Sequence, residues 1–137
     1  ARWGSTGYLN HRGEFFSGVQ EEQFRLLPLL TGPTQSAVRL MQYFKAFSDQ
    51  LAPVDLVITH LGLGNREQLS IKLNNGLAIK LGSEEIMLRM RRFLKLWEKI
   101  DEREQISSID LRYEFGAAIA FHETSPLSKQ TIYGGDG

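Results

Sequence analysis

The sequence predicts an α+β fold, in which a mainly antiparallel β-sheet carries two helices packed on one face and has an open last edge strand. Two segments repeat apolar residues at helical spacing, several others alternate with a period of two, and Asn75-Gly76 joins two of the alternating runs. The 137 residues suffice for one domain with a sizeable core. We expect that domain over residues 1–122, followed by a flexible tail over 123–137, which shows no apolar period.

The first third of the chain predicts a hairpin, a connector and a helix. Residues 7–16 place two short apolar runs around a polar, glycine-ended centre, which is typical of a small hairpin. Residues 26–33 mix leucines with two prolines and a glycine, so we expect extended chain across the core. From Ser36 to Ala52 the apolar residues recur at helical spacing, and Pro53 ends the helix.

The middle of the chain predicts three strands. Residues 54–63 are rich in β-branched and apolar side chains, which favours a strand that ends at Gly62 and Gly64. Residues 69–73 and 77–81 alternate apolar and polar side chains on either side of Asn75-Gly76. Because Asn-Gly tolerates positive φ angles, the pattern predicts a hairpin with a type I′ turn and one apolar face.

A second amphipathic helix is expected after this hairpin. Ser83 is a candidate cap, and residues 86–100 carry one apolar stripe at helical spacing. The remaining positions are basic, and we expect them to form a solvated face: Arg89, Arg91, Arg92, Lys95 and Lys99. A nucleic-acid site is less favoured, because no aromatic stacking pattern accompanies the charges.

Two strands are predicted at the end of the domain. From Ile106 the period returns to two, with Tyr113 and Phe115 expected on the same face as Ile109, and Gly116 ends the strand. Residues 117–122 return as a second arm built from small side chains. Residues 117–121 carry neither the lysine nor the proline that protects an edge strand. This strand is therefore either an open template for a partner's strand or is covered by the protein's own tail.

Composition excludes several classes of function. With 16 basic and 16 acidic residues, the chain lacks the basic excess of a nucleic-acid or membrane-surface binder. It has no cysteine, and its three histidines share no ligand spacing, so we expect no metal and no cofactor. The sequence has no GxSxG nucleophile motif, and Gly62-Leu63-Gly64 is too short for a phosphate-binding loop. The alternative is a small-ligand or enzymatic site between the sheet and the basic helix, at Arg89, Arg92 and Lys95.

Several motifs in order resemble the FtsQ family of bacterial cell division proteins over about residues 1–122. The N-terminal ones are Ala1-Arg2-Trp3, Leu9-Asn10-His11-Arg12-Gly13-Glu14-Phe15-Phe16 and Leu27-Pro28-Leu29-Leu30-Thr31-Gly32-Pro33. The later ones are Asn74-Asn75-Gly76, Leu81-Gly82, Met90-Arg91-Arg92-Phe93, Ile109-Asp110-Leu111-Arg112-Tyr113 and Gly116-Ala117-Ala118-Ile119.

The resemblance implies a non-catalytic scaffold domain on the periplasmic side of the bacterial inner membrane. In this family the full-length protein is anchored by a transmembrane segment that is absent here, and the chain indeed opens on Ala1 without a start methionine. The family binds FtsB, and through it FtsL, by addition of an FtsB strand to the last strand of the domain, and so links early and late division proteins during septum formation.

Carried over to this sequence, the resemblance implies one partner-binding surface. Its expected members are Arg66, Arg112, Tyr113, Glu114, Phe115, Gly116, Ala117, Ala118, Ile119, Ala120 and Phe121. Three positions depart from the family pattern: Phe115 replaces a small polar turn residue, Leu69 a common tryptophan, and Phe121 the final tryptophan. Phe115 therefore either presents an apolar knob to the partner or packs inward and reshapes the turn.

Overall fold

A computed structural model describes residues 1–4, 7–16, 27–123 and 131–133 and confirms the α+β fold. Two helices, α1 (Ala37–Leu51) and α2 (Ile86–Lys99), accompany ten strands of one sheet. The strands are β1 (Arg2–Trp3), β2 (Gly7–Leu9), β3 (Phe15–Phe16), β4 (Leu29–Thr31), β5 (Ile58–Leu63), β6 (Leu69–Leu73), β7 (Ala78–Gly82), β8 (Ile106–Asp110), β9 (Ala117–Phe121) and β10 (Thr131–Tyr133).

The sheet is open and mostly antiparallel, in the order β10-β9-β8-β7-β6-β5-β4-β1-β2-β3. Only the pairs β1–β4, β4–β5 and β7–β8 are parallel among the described strands. Parallel neighbours need a crossover connection. Helix α1 connects β4 to β5 and helix α2 connects β7 to β8, which is why the two long helices lie where they do.

One face of the sheet carries an apolar row that crosses six strands. Each member lies opposite the next on the neighbouring strand, and all are buried: Leu30, Leu61, Ile71, Ile79, Ile109 and Ile119. Both helices add buried apolar residues to the same core, including Leu40 and Phe47 from α1 and Met90 and Phe93 from α2. The expected arrangement of two helices on one sheet face is therefore confirmed.

The other face of the sheet is polar. The residues of one row on this face lie opposite one another on neighbouring strands: Thr31, Gly62, Ser70, Lys80, Asp110 and Ala118. Ser70 and Lys80 are exposed on it. Alternation along each strand sends successive side chains to opposite faces, so the polar positions of the sequence pattern fall here.

Two local predictions were wrong in detail. Asn75-Gly76 was expected to form a type I′ turn, which needs positive φ at both residues. Only Gly76 has it (φ 86°), and Leu73 N–H donates to the Leu77 carbonyl across a three-residue loop. Ser83 does not cap α2, because Glu85 occupies the N-cap position in a left-handed conformation without a side-chain cap hydrogen bond.

Strand β8 ends at Asp110, five residues earlier than the sequence pattern predicts. The Asp110 carboxylate accepts a hydrogen bond from the Arg112 backbone N–H (3.0 Å). A side chain that bonds its own backbone two residues on diverts the chain from the sheet. Tyr113 and Phe115 consequently lie outside the strand and are exposed rather than facing the core with Ile109.

Within the C-terminal tail, whose flexibility stays a prediction, residues 131–133 form strand β10, which pairs antiparallel with β9. The interpretation of residues 117–121 as the open edge of the sheet is therefore wrong. The alternative, a strand covered by the protein's own tail, is the observed one. The physical reason is that strand pairing uses backbone groups, which leave no signature in side-chain periodicity. Residues 124–130 and 134–137 lie outside the described part.

The basic helix face is only partly solvated. Arg89 is 9% exposed, and its Nη1 donates to the Leu81 carbonyl (2.6 Å). A buried guanidinium requires hydrogen-bond acceptors, and the end of β7 supplies one. Within the described residues, neither helix is long and apolar enough to cross a membrane.

Candidate partner-binding surface

The turn between β8 and β9 is held by one side chain of helix α2. Arg92 Nη1 donates to the carbonyl oxygens of Tyr113 (3.0 Å) and Gly116 (3.2 Å), and Arg92 Nη2 donates to that of Glu114 (2.9 Å). The planar guanidinium offers several donors in a fixed geometry. Three carbonyls from one short turn are thus fixed to a helix that is itself packed on the core.

The turn presents two aromatic side chains to solvent. Phe115 is 70% exposed and Tyr113 is 42% exposed. Phe115 therefore forms the apolar knob, and the alternative in which it packs inward is wrong. Gly116, with φ 74°, lies between the knob and strand β9, where the backbone turns sharply.

Arg112 lies beside this turn in a bidentate ion pair. Its Nε donates to Asp110 Oδ1 (2.9 Å) and its Nη2 to Asp110 Oδ2 (2.7 Å). Burial raises the pKa of Asp110, but hydrogen bonds from Arg112 and the charges of Arg112 and Lys80 outweigh it and lower that pKa. The same hydrogen bonds raise the pKa of Arg112. A partner's carboxylate at Arg112 would therefore share the guanidinium with Asp110.

Strand β9 can contribute backbone groups rather than side chains to a binding surface. Ala117, Ala118, Ile119 and Phe121 are buried, and Ala120 is partly exposed. His122 N–H donates to the Gln105 carbonyl (2.8 Å), and the Ala120 carbonyl accepts from Ser107 Oγ (3.1 Å). These groups point toward β8. Because backbone direction alternates along a strand, the N–H and C=O groups of residues 117, 119 and 121 point to the opposite edge.

Arg66 lies four strands away from β9, in the loop that follows β5. It and Glu67 both adopt left-handed backbone conformations (φ 57° and 58°). Arg66 lines a surface cavity of about 480 Å³ at the start of α1. A second pocket of about 250 Å³ is lined by Gly64 and Gln68 of the same loop and by Arg112. The structure thus brings the Arg66 loop next to Arg112, while Arg66 itself lines the first cavity and not the pocket at Arg112.

The sequence pattern did not predict the contacts that Arg89 and Arg92 make. Both were assigned to a solvated face or, in the alternative hypothesis, to a small-ligand site with Lys95. Arg89 instead contacts the end of β7, and Arg92 holds the β8–β9 turn. Their spacing of three residues on one helix was the available signal, because residues three apart share a helix face. The structure also shows why residue 82 is a glycine, since a Cβ there would lie 2.6 Å from Arg89 Nη1.

No group of three or more potential metal-ligating side chains occurs in the described residues. Of the three histidines, His60 lies on the polar sheet face, where its Nε2 is 2.9 Å from Thr31 Oγ1. Burial, followed by the positive charges of Lys72 and Arg2, lowers the pKa of His60. The polar sheet face around it is therefore locally cationic.

Comparison with known proteins places this chain among the bacterial cell division proteins. Residues 1–112 match the C-terminal domain of the cell division proteins FtsQ and DivIB. The chain belongs to the FtsQ/DivIB family, as its motifs predicted.

Individual relatives agree with this assignment. The chain is 35% identical over 121 residues to cell division protein FtsQ of Coxiella burnetii, covering 87% of this chain and 50% of the relative. It is 30% identical over 132 residues to FtsQ of Escherichia coli strain K12, covering 92% of this chain and 48% of the relative. For FtsQ of Methylomonas methanica the identity is 30% over 127 residues, with coverages of 91% and 51%. The chain thus spans about half the length of these relatives.

Proposed function

We propose that this chain is a non-catalytic periplasmic interaction domain that binds an FtsB-type protein, and through it an FtsL-type protein, and so links early and late division proteins during septum formation. In the full-length protein, a membrane anchor outside this chain would hold the domain at the inner membrane. The observation that carries the proposal is the β8–β9 turn, which Arg92 fixes while Tyr113 and Phe115 remain exposed.

A fixed turn with exposed aromatic side chains suits protein recognition. Aromatic anchors contribute much of the binding energy at interfaces. A surface that is ordered before binding loses less conformational entropy when the partner docks. Tyr113 and Phe115 are the anchors in this proposal, and Glu114, which lies between them in the chain, is exposed.

Charge and backbone pairing complete the surface. Arg112 and Arg66, both exposed, would attract acidic side chains of the partner. The outer edge of β9 would pair with an extended segment of the partner in place of β10, because its edge-facing N–H and C=O groups are suited to strand addition. In this proposal the stretch from Gly116 to Phe121 contributes backbone rather than side-chain contacts, and the N–H and C=O groups of Ala117, Ile119 and Phe121, which point away from β8, form the hydrogen bonds.

Calorimetric titration of the full chain with the periplasmic part of the FtsB-type protein from the same bacterium tests the proposal. We expect Tyr113→Ala to weaken binding by about tenfold or more. Val57→Ala, another exposed apolar residue outside the surface, is the matched control and should bind like wild type. Equal affinities for the two variants would contradict the proposed surface.

The same preparation tests the competing small-ligand hypothesis. A thermal-shift screen with inorganic phosphate and with peptidoglycan fragments should leave the melting temperature unchanged, because a ligand that binds the native state must raise it. A rise that depends on ligand concentration and disappears in Arg92→Lys would favour the ligand site at the basic helix.

A further inference from the structure

Strand β10 occupies the edge of β9 that the proposed function assigns to the partner. Thr131 lies opposite Ile119, Ile132 opposite Ala118, and Tyr133 opposite Ala117. The pairing is antiparallel, and it makes β10 the last strand at this side of the sheet. The surface next to the exposed turn is therefore already filled by a segment of the same chain.

The backbone directions identify the groups for which two strands would compete. Residues 117 and 119 point away from β8, so the pairs Ala117–Tyr133 and Ile119–Thr131 exchange hydrogen bonds, whereas Ala118–Ile132 is a non-hydrogen-bonded pair. The N–H and C=O groups of β9 that point away from β8 can form hydrogen bonds with only one neighbouring strand. A partner's strand and β10 cannot pair with this edge at the same time.

We propose that β10 is an internal competitor: the partner's strand pairs with β9 by displacing β10, and the C-terminal segment thereby sets the partner affinity. This inference rests on the proposed function. A described pairing of only three residues forms few hydrogen bonds, each of modest net strength, so it is suited to exchange. The apparent dissociation constant rises as the fraction of molecules with a free β9 edge falls.

A disulfide that locks β10 onto β9 tests the exchange directly. The chain has no cysteine, so a double variant Ala118→Cys/Ile132→Cys contains a single pair of thiols. Side chains of a non-hydrogen-bonded antiparallel pair approach closely enough for a disulfide. We expect the oxidised variant to bind the periplasmic part of the FtsB-type protein, called the FtsB-type segment below, at least about tenfold more weakly than the same protein after reduction. Ala118→Cys alone, treated identically, should show no difference between the two redox states.

A pair of proline variants tests the opposite direction. Tyr133→Pro removes an N–H that faces β9, whereas Ile132→Pro removes one that faces away from it. We expect Tyr133→Pro to bind the segment about threefold to tenfold more tightly than wild type, and Ile132→Pro to stay within about twofold. Circular dichroism melting of both variants verifies that the domain remains folded.

The outcomes separate this inference from the proposed function. Equal affinity in the oxidised and reduced double variant, with Tyr113→Ala still impaired, would overturn the exchange and leave the partner-binding surface standing. Failure of the wild-type chain and all variants to bind the segment would overturn both. A tighter Tyr133→Pro together with a weaker oxidised variant would support both.

Discussion

Arg92 on helix α2 donates a hydrogen bond of 2.9 Å to the backbone carbonyl of Glu114, 22 residues further along the chain. Together with its bonds to two other carbonyls of the turn, this contact connects the helix layer to the turn that carries the exposed side chains of Tyr113 and Phe115. A turn that would otherwise sample many conformations is held in one.

Replacement of Arg92, which holds the β8–β9 turn, should weaken partner binding more than it destabilises the fold. Arg92→Lys keeps the charge but loses the planar set of donors, so it cannot satisfy three carbonyls at once. We expect the free energy of unfolding to fall by about 1 kcal/mol and the affinity for the FtsB-type segment to fall by about tenfold. Urea denaturation and calorimetric titration measure the two effects. Arg91→Lys, on the exposed face of the same helix, should change neither.

Removal of the apolar knob should affect binding alone. Phe115→Ser leaves the core intact because Phe115 is largely exposed, so the free energy of unfolding should change by no more than about 0.5 kcal/mol. Partner affinity should fall by about tenfold, as expected when an aromatic anchor is lost. Phe15, 61% exposed on β3 at the other end of the sheet, provides the control Phe15→Ser. If Phe15→Ser weakened binding as much, the site would be wrongly placed.

The close approach of Gly82 to Arg89 should appear in stability measurements. Gly82 and Gly76 both have positive φ (77° and 86°), but only Gly82 has a neighbour within 4 Å of the position a Cβ would take. Gly76→Ala should cost about 1 kcal/mol for the left-handed backbone alone. Gly82→Ala should cost at least about 1 kcal/mol more, because the methyl group displaces the Arg89 guanidinium. Urea midpoints that coincide for the two variants would argue against this contact.

The Asp110–Arg112 pair should contribute an acid-sensitive part of the stability. The folded-state pKa of Asp110 is lowered, so the unfolded chain binds the proton more readily. The contribution is present above the ordinary carboxyl pKa of about 3.9 and is lost as the pH falls toward the folded pKa. Melting temperatures of wild type and Asp110→Asn should therefore differ most near pH 7 and converge below about pH 4. A constant difference across that range would contradict the assignment.

His60 should give a second pH dependence in a different window. Its folded-state pKa is lowered, first by burial and then by Lys72 and Arg2, so the unfolded chain binds a proton that the folded chain does not. Stability should rise as the pH increases from below the lowered pKa to above about 6.5. Chemical denaturation at pH 5 and pH 7.5 should show a smaller rise in His60→Gln than in wild type. His11 and His122 are exposed and common to both proteins, so they cancel in the comparison.

Much of the architecture follows from the sequence pattern because local periodicity reports burial. The apolar stripes of α1 and α2 and the alternation on either side of Asn75-Gly76 predicted the helices, the central hairpin and the core face. The motifs from Ala1-Arg2-Trp3 to Ile119 are sufficient by themselves to indicate the family. Strand β1 was not predicted, since Arg2–Trp3 is too short to show a period.

The sequence by itself determined the fold class and the family, but its alternation placed Tyr113 and Phe115 in the strand rather than in the turn that follows it. Only the tertiary structure decided which arginines are available to a partner, because that depends on carbonyl groups brought from β7 and the β8–β9 turn to Arg89 and Arg92. It also decided that β8 ends at Asp110 and that β10 covers β9. Both depend on backbone hydrogen bonds, whose donors and acceptors are nearly the same in every residue and therefore leave little trace in the order of side chains.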